Sequence, residues 1–231
     1  MKSNRLIGLL TLVWLILMAD IIWLGTDGKW MIEEVEKIGK LKVAQYTNQV
    51  MVVAVSDEST RLCMYEREKG KWRLVLETEA IIGKNGLGKT REGDGKTPVG
   101  VFRFVKAFGI LENPGAKIEY TQVDESDYWV DDSGSKYYNQ FIENDKVESD
   151  WMSAEHILEY GESYHYVLAT SFNIEGIPGV GSAVFLHCTS AYAEATAGCV
   201  AIPEVYMREV IKQVEPQCVL IIDKRENIVL Y

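Results

Sequence analysis

The sequence predicts a mainly β fold with a few helices. Runs rich in β-branched and aromatic residues follow one another closely, with Gly, Asp and Ser between them, at 50–55, 61–66 and 72–76. Such a pattern is typical of an antiparallel meander. Further strand-like runs occur at 101–105, 164–169 and 218–222. One helix face is marked after Pro203, by Met207, Val210, Ile211 and Val214. A chain of 231 residues is long enough to bury one sizeable core of this kind.

The stretch from Ala107 to Ser163 is irregular, aromatic and acidic. A long insertion of this type in a compact domain is usually a binding surface. Within it, Tyr138 and Asn139 are candidate ligand contacts, with solvated loop residues as the alternative. The run 153–159 predicts one or two turns of helix, with Ser153 as the N-cap.

Composition and spacing exclude several classes of function. The net charge of −10 argues against a nucleic-acid partner, which requires a basic surface. The chain has no Cys-x-x-Cys, and its three histidines do not pair at ligand intervals, so we expect no metal site. Residues 83–90 match the letters of a phosphate-binding loop, but the run 91–98 that follows cannot start a stable helix. We therefore expect no nucleotide and no other cofactor.

The N-terminus predicts a membrane anchor. Lys2 and Arg5 precede an apolar stretch that continues past Asp20 to Leu24, and as a helix it reaches roughly 28 Å, just enough to cross a bilayer. Cleavage after Ala19 is disfavoured because Leu17 occupies a position that requires a small residue.

We therefore divide the chain into an anchor at 1–25, a stalk at 26–49 and a domain at 50–231. The stalk carries a short predicted helix at 31–40. The positive end stays in the cytoplasm, so a single-pass protein in the cell membrane would hold its domain on the outer face. Removal of the first segment as a signal peptide, which would release the domain to the outside, remains the alternative.

If the domain is exported, its four cysteines are candidates for disulfide bonds. An even number in an oxidising compartment permits two disulfides among Cys63, Cys188, Cys199 and Cys218. Cys63 and Cys218 lie in strand-like runs. A buried free cysteine behaves as a small hydrophobic residue, and we favour this interpretation for both.

His187 and Cys199 are the candidate catalytic residues, as base and nucleophile. A free thiol is a weak nucleophile, and pairing with an imidazole base predicts thiolate at neutral pH. Gly198 lets backbone N–H groups approach a developing oxyanion. No Asp or Asn is obviously placed to orient the ring, so we expect the carbonyl of Cys188 to do so.

Three blocks in the chain resemble the L,D-transpeptidase (YkuD-type) catalytic domain. They are Asp94-Gly-Lys-Thr-Pro-Val-Gly-Val-Phe102, Ala183-Val-Phe-Leu-His187 and Thr196-Ala-Gly-Cys-Val200, within about 50–222. The resemblance implies packed mixed sheets and a substrate, the stem peptides of peptidoglycan. In such a reaction Cys199, with His187 as base, attacks after the third residue, releases the terminal D-alanine and passes the acyl group to an amine. Thr196 is then a weak candidate for a substrate contact.

The last block departs from the family's usual Ser/Thr-His-Gly-Cys-x-Arg. Ala197 and Ala201 stand where the family has histidine and arginine, and the loop from His187 to Cys199 is shorter than usual. Two alternatives stay open: an L,D-carboxypeptidase that uses water as the acceptor, and a catalytically silent wall-binding module. In that module Cys188 and Cys199 would be joined in a disulfide or buried.

Overall fold

The computed structural model describes residues 35–191 and 193–231. The predicted anchor at 1–25 and the first part of the predicted stalk lie outside the described residues. Within the two described ranges, no helix combines the length and the apolar character needed to cross a membrane.

The described residues are mainly β, which confirms the predicted class. The strands, in chain order, are β1 Gln49–Val55, β2 Thr60–Glu68, β3 Lys71–Glu79, β4 Gly100–Gly109, β5 Tyr120–Gln122, β6 Asp127–Val130, β7 Phe141–Glu143, β8 Ala154–His156, β9 Val167–Thr170, β10 Phe185–Cys188, β11 Val200–Ile202 and β12 Val219–Lys224. The helix α1 spans Glu204–Gln213. Short 3₁₀ segments occupy Val43–Gln45, Asn144–Lys146, Ile157–Tyr164 and Arg225–Leu230.

The larger sheet is mixed. Its strand order is β11-β10-β9-β4-β12-β1-β2-β3, with β5 added beside β4. The pairs β1/β12, β10/β11 and β4/β5 are parallel, and the others along the path are antiparallel. The first half of β4 pairs with β12 and its second half with β9 and β5, across a register shift between Phe104 and Lys106. Such an irregularity bends a strand, so β4 joins the two halves of a curled sheet.

The predicted meander is present as β1, β2 and β3, which pair antiparallel in sequence order. The β2–β3 connection is Lys69-Gly70, and both residues have positive φ, 49° and 80°. Two such residues form the type of tight turn whose twist matches a hairpin.

Both faces of the central strands are buried. On β1, Met51 and Val53 belong to the core that also holds α1, whereas Val50 and Val52 belong to a second core on the opposite face. This is the two-residue period of a strand, with apolar side chains on both sides.

The second core changes the interpretation of the predicted stalk at 26–49. Ile38, Leu41 and Ala44 are buried there against the sheet. Because these apolar side chains cover β-sheet surface, the described part of the stretch, from residue 35, packs against the domain.

The insertion at 107–163 is more ordered than the sequence predicts. It holds a small sheet of order β7-β6-β8. The helix predicted at 153–159 is wrong: β8 forms there instead and is followed by a 3₁₀ segment from Ile157. Pairing of β8 with β6, in which His156 opposes Tyr128, prevails over the local helical pattern.

Candidate active site

A cavity of about 400 Å³ lies where β10 and the turn before β11 meet the loop at 81–93 and the insertion. His187 and Cys199 both line it. The polar side chains that share the lining include Lys89, Glu92, Asp131, Glu155, Tyr160, Tyr164, Ser182 and Thr196. The structure therefore brings the two residues of the predicted pair to one concave site.

The turn that carries Cys199 is fixed by hydroxyl groups. Thr196 Oγ1 accepts the N–H of Gly198 at 3.1 Å and donates to the carbonyl of Cys199 at 2.7 Å. Thr97 donates to the same carbonyl at 3.3 Å. The hydroxyl of Thr196, a predicted substrate contact that lines the cavity, thus fixes the turn. The N–H of Gly198 is also occupied, whereas that of Cys199 has no hydrogen-bond partner among the described residues.

The thiol of Cys199 rests against backbone. Its sulfur receives the N–H of Phe185 at 3.3 Å, and the S–H donates to the carbonyl of Ala183 at 3.0 Å. Burial, with a smaller contribution from the carboxyl group of Glu155, raises the pKa of Cys199 to about 12, although the Phe185 N–H and Lys89 act to lower it. The resting group at neutral pH is therefore the neutral thiol.

His187 is oriented by backbone. Its Nδ1 lies 2.8 Å from the carbonyl oxygen of Cys188, the partner that the sequence predicts. A carbonyl only accepts, so Nδ1 carries the proton of the neutral ring and Nε2 carries the lone pair. The edge-on ring of Tyr164, with centroids 5.5 Å apart, packs against the imidazole. Burial lowers the pKa of His187, and backbone hydrogen bonds to Cys188 and Ser163 oppose that shift.

The predicted thiolate–imidazolium pair does not form in this structure. The S–H of Cys199 is directed to Ala183 and not to His187. Both groups are desolvated, which favours the neutral form of each. Transfer of the thiol proton to His187 would therefore require the sulfur to turn from Ala183 toward the imidazole.

Sequence reasoning missed Lys89. Its Nζ lies 3.2 Å from Asp94 Oδ1, and only 3% and 7% of the two side chains remain exposed. Burial alone would raise the pKa of Asp94, but the N–H groups of Thr90, Lys96 and Arg91, together with Lys89, hold it well below its ordinary value. The match of residues 83–90 to a phosphate-binding loop includes this lysine. The structure places it in the cavity, although the loop lacks the other features of a nucleotide site.

Carboxyl groups form another part of the lining. Burial raises the pKa of Glu155 to about 7, although the hydroxyl of Tyr164, which donates to it at 2.7 Å, acts in the opposite direction. Glu92 accepts the hydroxyls of Tyr138 and Ser182, at 2.5 and 2.8 Å. The site is thus predominantly acidic.

Tyr138 and Asn139, which the sequence offers as substrate contacts, are buried and are not among the residues that line the cavity. Asn139 adopts a φ of 59°, and its Oδ1 accepts the N–H of Ala183 at 3.1 Å. The carbonyl of Ala183 accepts the S–H of Cys199, so Asn139 helps to fix the backbone that positions the thiol. The hydroxyl of Tyr138, besides donating to Glu92, accepts the N–H of Gly181 at 3.1 Å.

The four cysteines all lie in the described part of the chain, and none of them is joined in a disulfide there. Cys63, Cys188 and Cys218 are buried and Cys199 is partly exposed. Cys63 and Cys218 are buried, as their interpretation as small hydrophobic residues predicts, and Cys188 and Cys199 are not joined in the disulfide that one form of the silent module requires.

The fold and the cavity together define a β domain with a cysteine–histidine site. The sequence profile of the YkuD family, described as the L,D-transpeptidase catalytic domain, matches residues 49–222. This covers most of the chain, and the chain belongs to that family. No curated protein matches it.

Solved structures of low sequence identity are similar to this chain. A variant of the helical cell shape determining protein Pgp2 from Campylobacter jejuni is 18% identical, with a TM-score of 0.46, over 83% of this chain and 53% of that one. Bd1075 from Bdellovibrio bacteriovorus is 14% identical, with a TM-score of 0.43, over 79% and 50%. A mutant L,D-transpeptidase from Enterococcus faecium is 14% identical, with a TM-score of 0.38, over 77% and 50%. The chain spans about half the length of these proteins.

Proposed function

We propose that this protein is a cysteine acyltransferase of the L,D-transpeptidase type that acts on peptidoglycan stem peptides. Membership of the family supports the class of reaction. The observation that carries the proposal is the position of Cys199, the partly exposed cysteine of the four, in the cavity that His187 also lines.

The geometry of the two residues suggests the order of steps. Nε2 of His187 takes the proton of the thiol as the sulfur attacks the carbonyl carbon after the third residue of the stem, and a C–S bond forms. The C–N bond then breaks, and the imidazolium returns the proton to the amine of the leaving D-alanine. An acceptor amine attacks the thioester next, gives a proton to His187 and restores the thiol.

The oxyanion donor in this proposal is the N–H of Cys199 and not that of Gly198, the predicted oxyanion residue. The N–H of Gly198 already donates to Thr196, whereas the N–H of Cys199 has no partner among the described residues. A backbone donor that is free and fixed by its turn can stabilise the developing charge without reorganisation.

Incubation of the purified protein with muropeptides that end in D-alanine tests the proposal. We expect mass analysis to show loss of the terminal D-alanine together with cross-linked dimers. Products shortened by D-alanine without dimers would identify water as the acceptor and a carboxypeptidase. Unchanged muropeptides under conditions where the domain is folded would contradict the proposal.

We further propose that the domain works on the outer face of the cell membrane, held by residues 1–25. The support is the apolar sequence flanked by Lys2 and Arg5. We expect the intact chain in the membrane fraction, with N-terminal sequencing giving Met1 or Lys2. A mature protein that starts at Asp20 or later would show cleavage and overturn the anchor.

A further inference from the structure

A buried cation lies in the cavity that holds the nucleophile. The side chain of Lys89 is 3% exposed, and its ammonium is paired with Asp94 at 3.2 Å. The carboxylate of Asp94 also accepts the backbone N–H groups of Thr90, Arg91 and Lys96. Lysine is almost never buried to this extent unless it is paired, so the loop is built to place this charge.

One glycine leaves the space that Lys89 occupies, and a second lies beside its ammonium. A Cβ added to Gly181 would lie 2.4 Å from Cε of Lys89, and one added to Gly198 would lie 3.6 Å from its Nζ. Gly198 directly precedes Cys199. The ammonium is therefore held beside the backbone of the nucleophile turn, and a side chain at Gly181 would displace it.

The other charges around the nucleophile are mostly negative. The titratable groups that line the cavity with Lys89 and Cys199 are Glu92, Asp131, Glu155, Tyr160, Tyr164, His187 and Cys188. Glu155 opposes negative charge on Cys199, and Lys89 supports it. The turn at 196–201 has no basic side chain of its own, so the positive charge comes from a distant loop.

We propose that Lys89 stabilises the negative charge that develops on the sulfur of Cys199. Inside a protein the attraction between two charges is several times stronger than in water, because the surroundings screen it less. Lys89 acts through Cys199, by stabilising the charge on its sulfur, and is therefore a positioning residue. Its relevance to turnover rests on the proposed function, whereas the effect on the thiol does not.

Alkylation of Cys199 by iodoacetamide, followed by peptide mapping, tests the proposal without any peptide substrate. The thiolate is the reacting form, so the rate between about pH 7 and about pH 9 reports the stability of the negative sulfur. We expect Lys89→Met to slow alkylation about tenfold at a fixed pH, corresponding to about one unit in the pKa of the thiol. Lys89→Arg should stay near the wild-type rate, and so should the matched control Lys84→Met, an exposed lysine in the same loop.

A second pair of variants separates charge from folding. Lys89→Met combined with Asp94→Asn removes both charges and leaves no unpaired carboxylate, and it should also slow alkylation. Glu155→Gln should accelerate alkylation, since the opposing charge is removed. Rates in folded Lys89→Met and in the double variant equal to that of the wild type would overturn the proposal. If Lys89→Met slows alkylation but the wild-type protein leaves muropeptides unprocessed, the result contradicts the proposed function alone.

Discussion

We expect Cys199→Ala to abolish acyl transfer from muropeptides while the melting temperature stays close to that of the wild type. The variant removes the only proposed nucleophile, so turnover should fall by at least about a thousandfold. The fold should tolerate the change because the hydrogen bonds of the thiol are to the backbone of Phe185 and Ala183, and Ala keeps the Cβ of Cys. Product mass analysis and thermal unfolding measure the two effects.

Cys218→Ala is the matched control. Cys218 is fully buried in the core that holds α1 and does not line the cavity. We expect it to keep turnover and to lose about 1 kcal/mol of unfolding free energy through lost packing. Full turnover in Cys199→Ala would show that another group is the nucleophile.

His187→Ala should lower turnover by about a hundredfold to ten thousandfold, because the proton of a neutral thiol then has no base to receive it. The wild-type pH profile carries a second signature. The base works only while neutral, so activity should fall as the pH drops through the pKa of His187, which burial places below the ordinary value of 6.5. This acid limb should vanish in the residual activity of His187→Ala.

His156→Ala serves as the control for His187→Ala, since His156 lies outside the cavity lining and stacks on Tyr128 with centroids 4.7 Å apart. It should retain both the turnover and the acid limb. If His187→Ala kept the wild-type rate and pH profile, His187 would have no part in proton transfer.

The strands of the main sheet could be predicted because their burial follows the sequence directly. β1 and β12 are near-continuous apolar runs since both faces of the sheet are covered. The helix predicted at 153–159 was wrong because β8 forms there through its pairing with β6, and such a contact leaves no local signal in the sequence. The packing of residues 35–48 could not be predicted for the same reason, since their scattered apolar side chains have meaning only against the sheet that they cover.

The sequence predicts those features of the site that depend only on residues close together in the chain. A Gly-Cys turn and a histidine at the end of an apolar run are features of short segments, and so is the carbonyl of Cys188 beside His187. The protonation state was not predictable, because it depends on burial by elements such as the 3₁₀ segment that holds Tyr164. Lys89 was not assigned either, since its place beside the turn of Cys199 depends on how the two segments fold together.

The most direct measurement of the central claim is the intact mass of the protein during reaction with a stem tetrapeptide that ends in D-alanine. The account predicts a covalent adduct equal to the tripeptide acyl group, located on the peptide that contains Cys199 and released by hydroxylamine as a thioester. Turnover without any adduct at Cys199, or an adduct on a different residue, would contradict it.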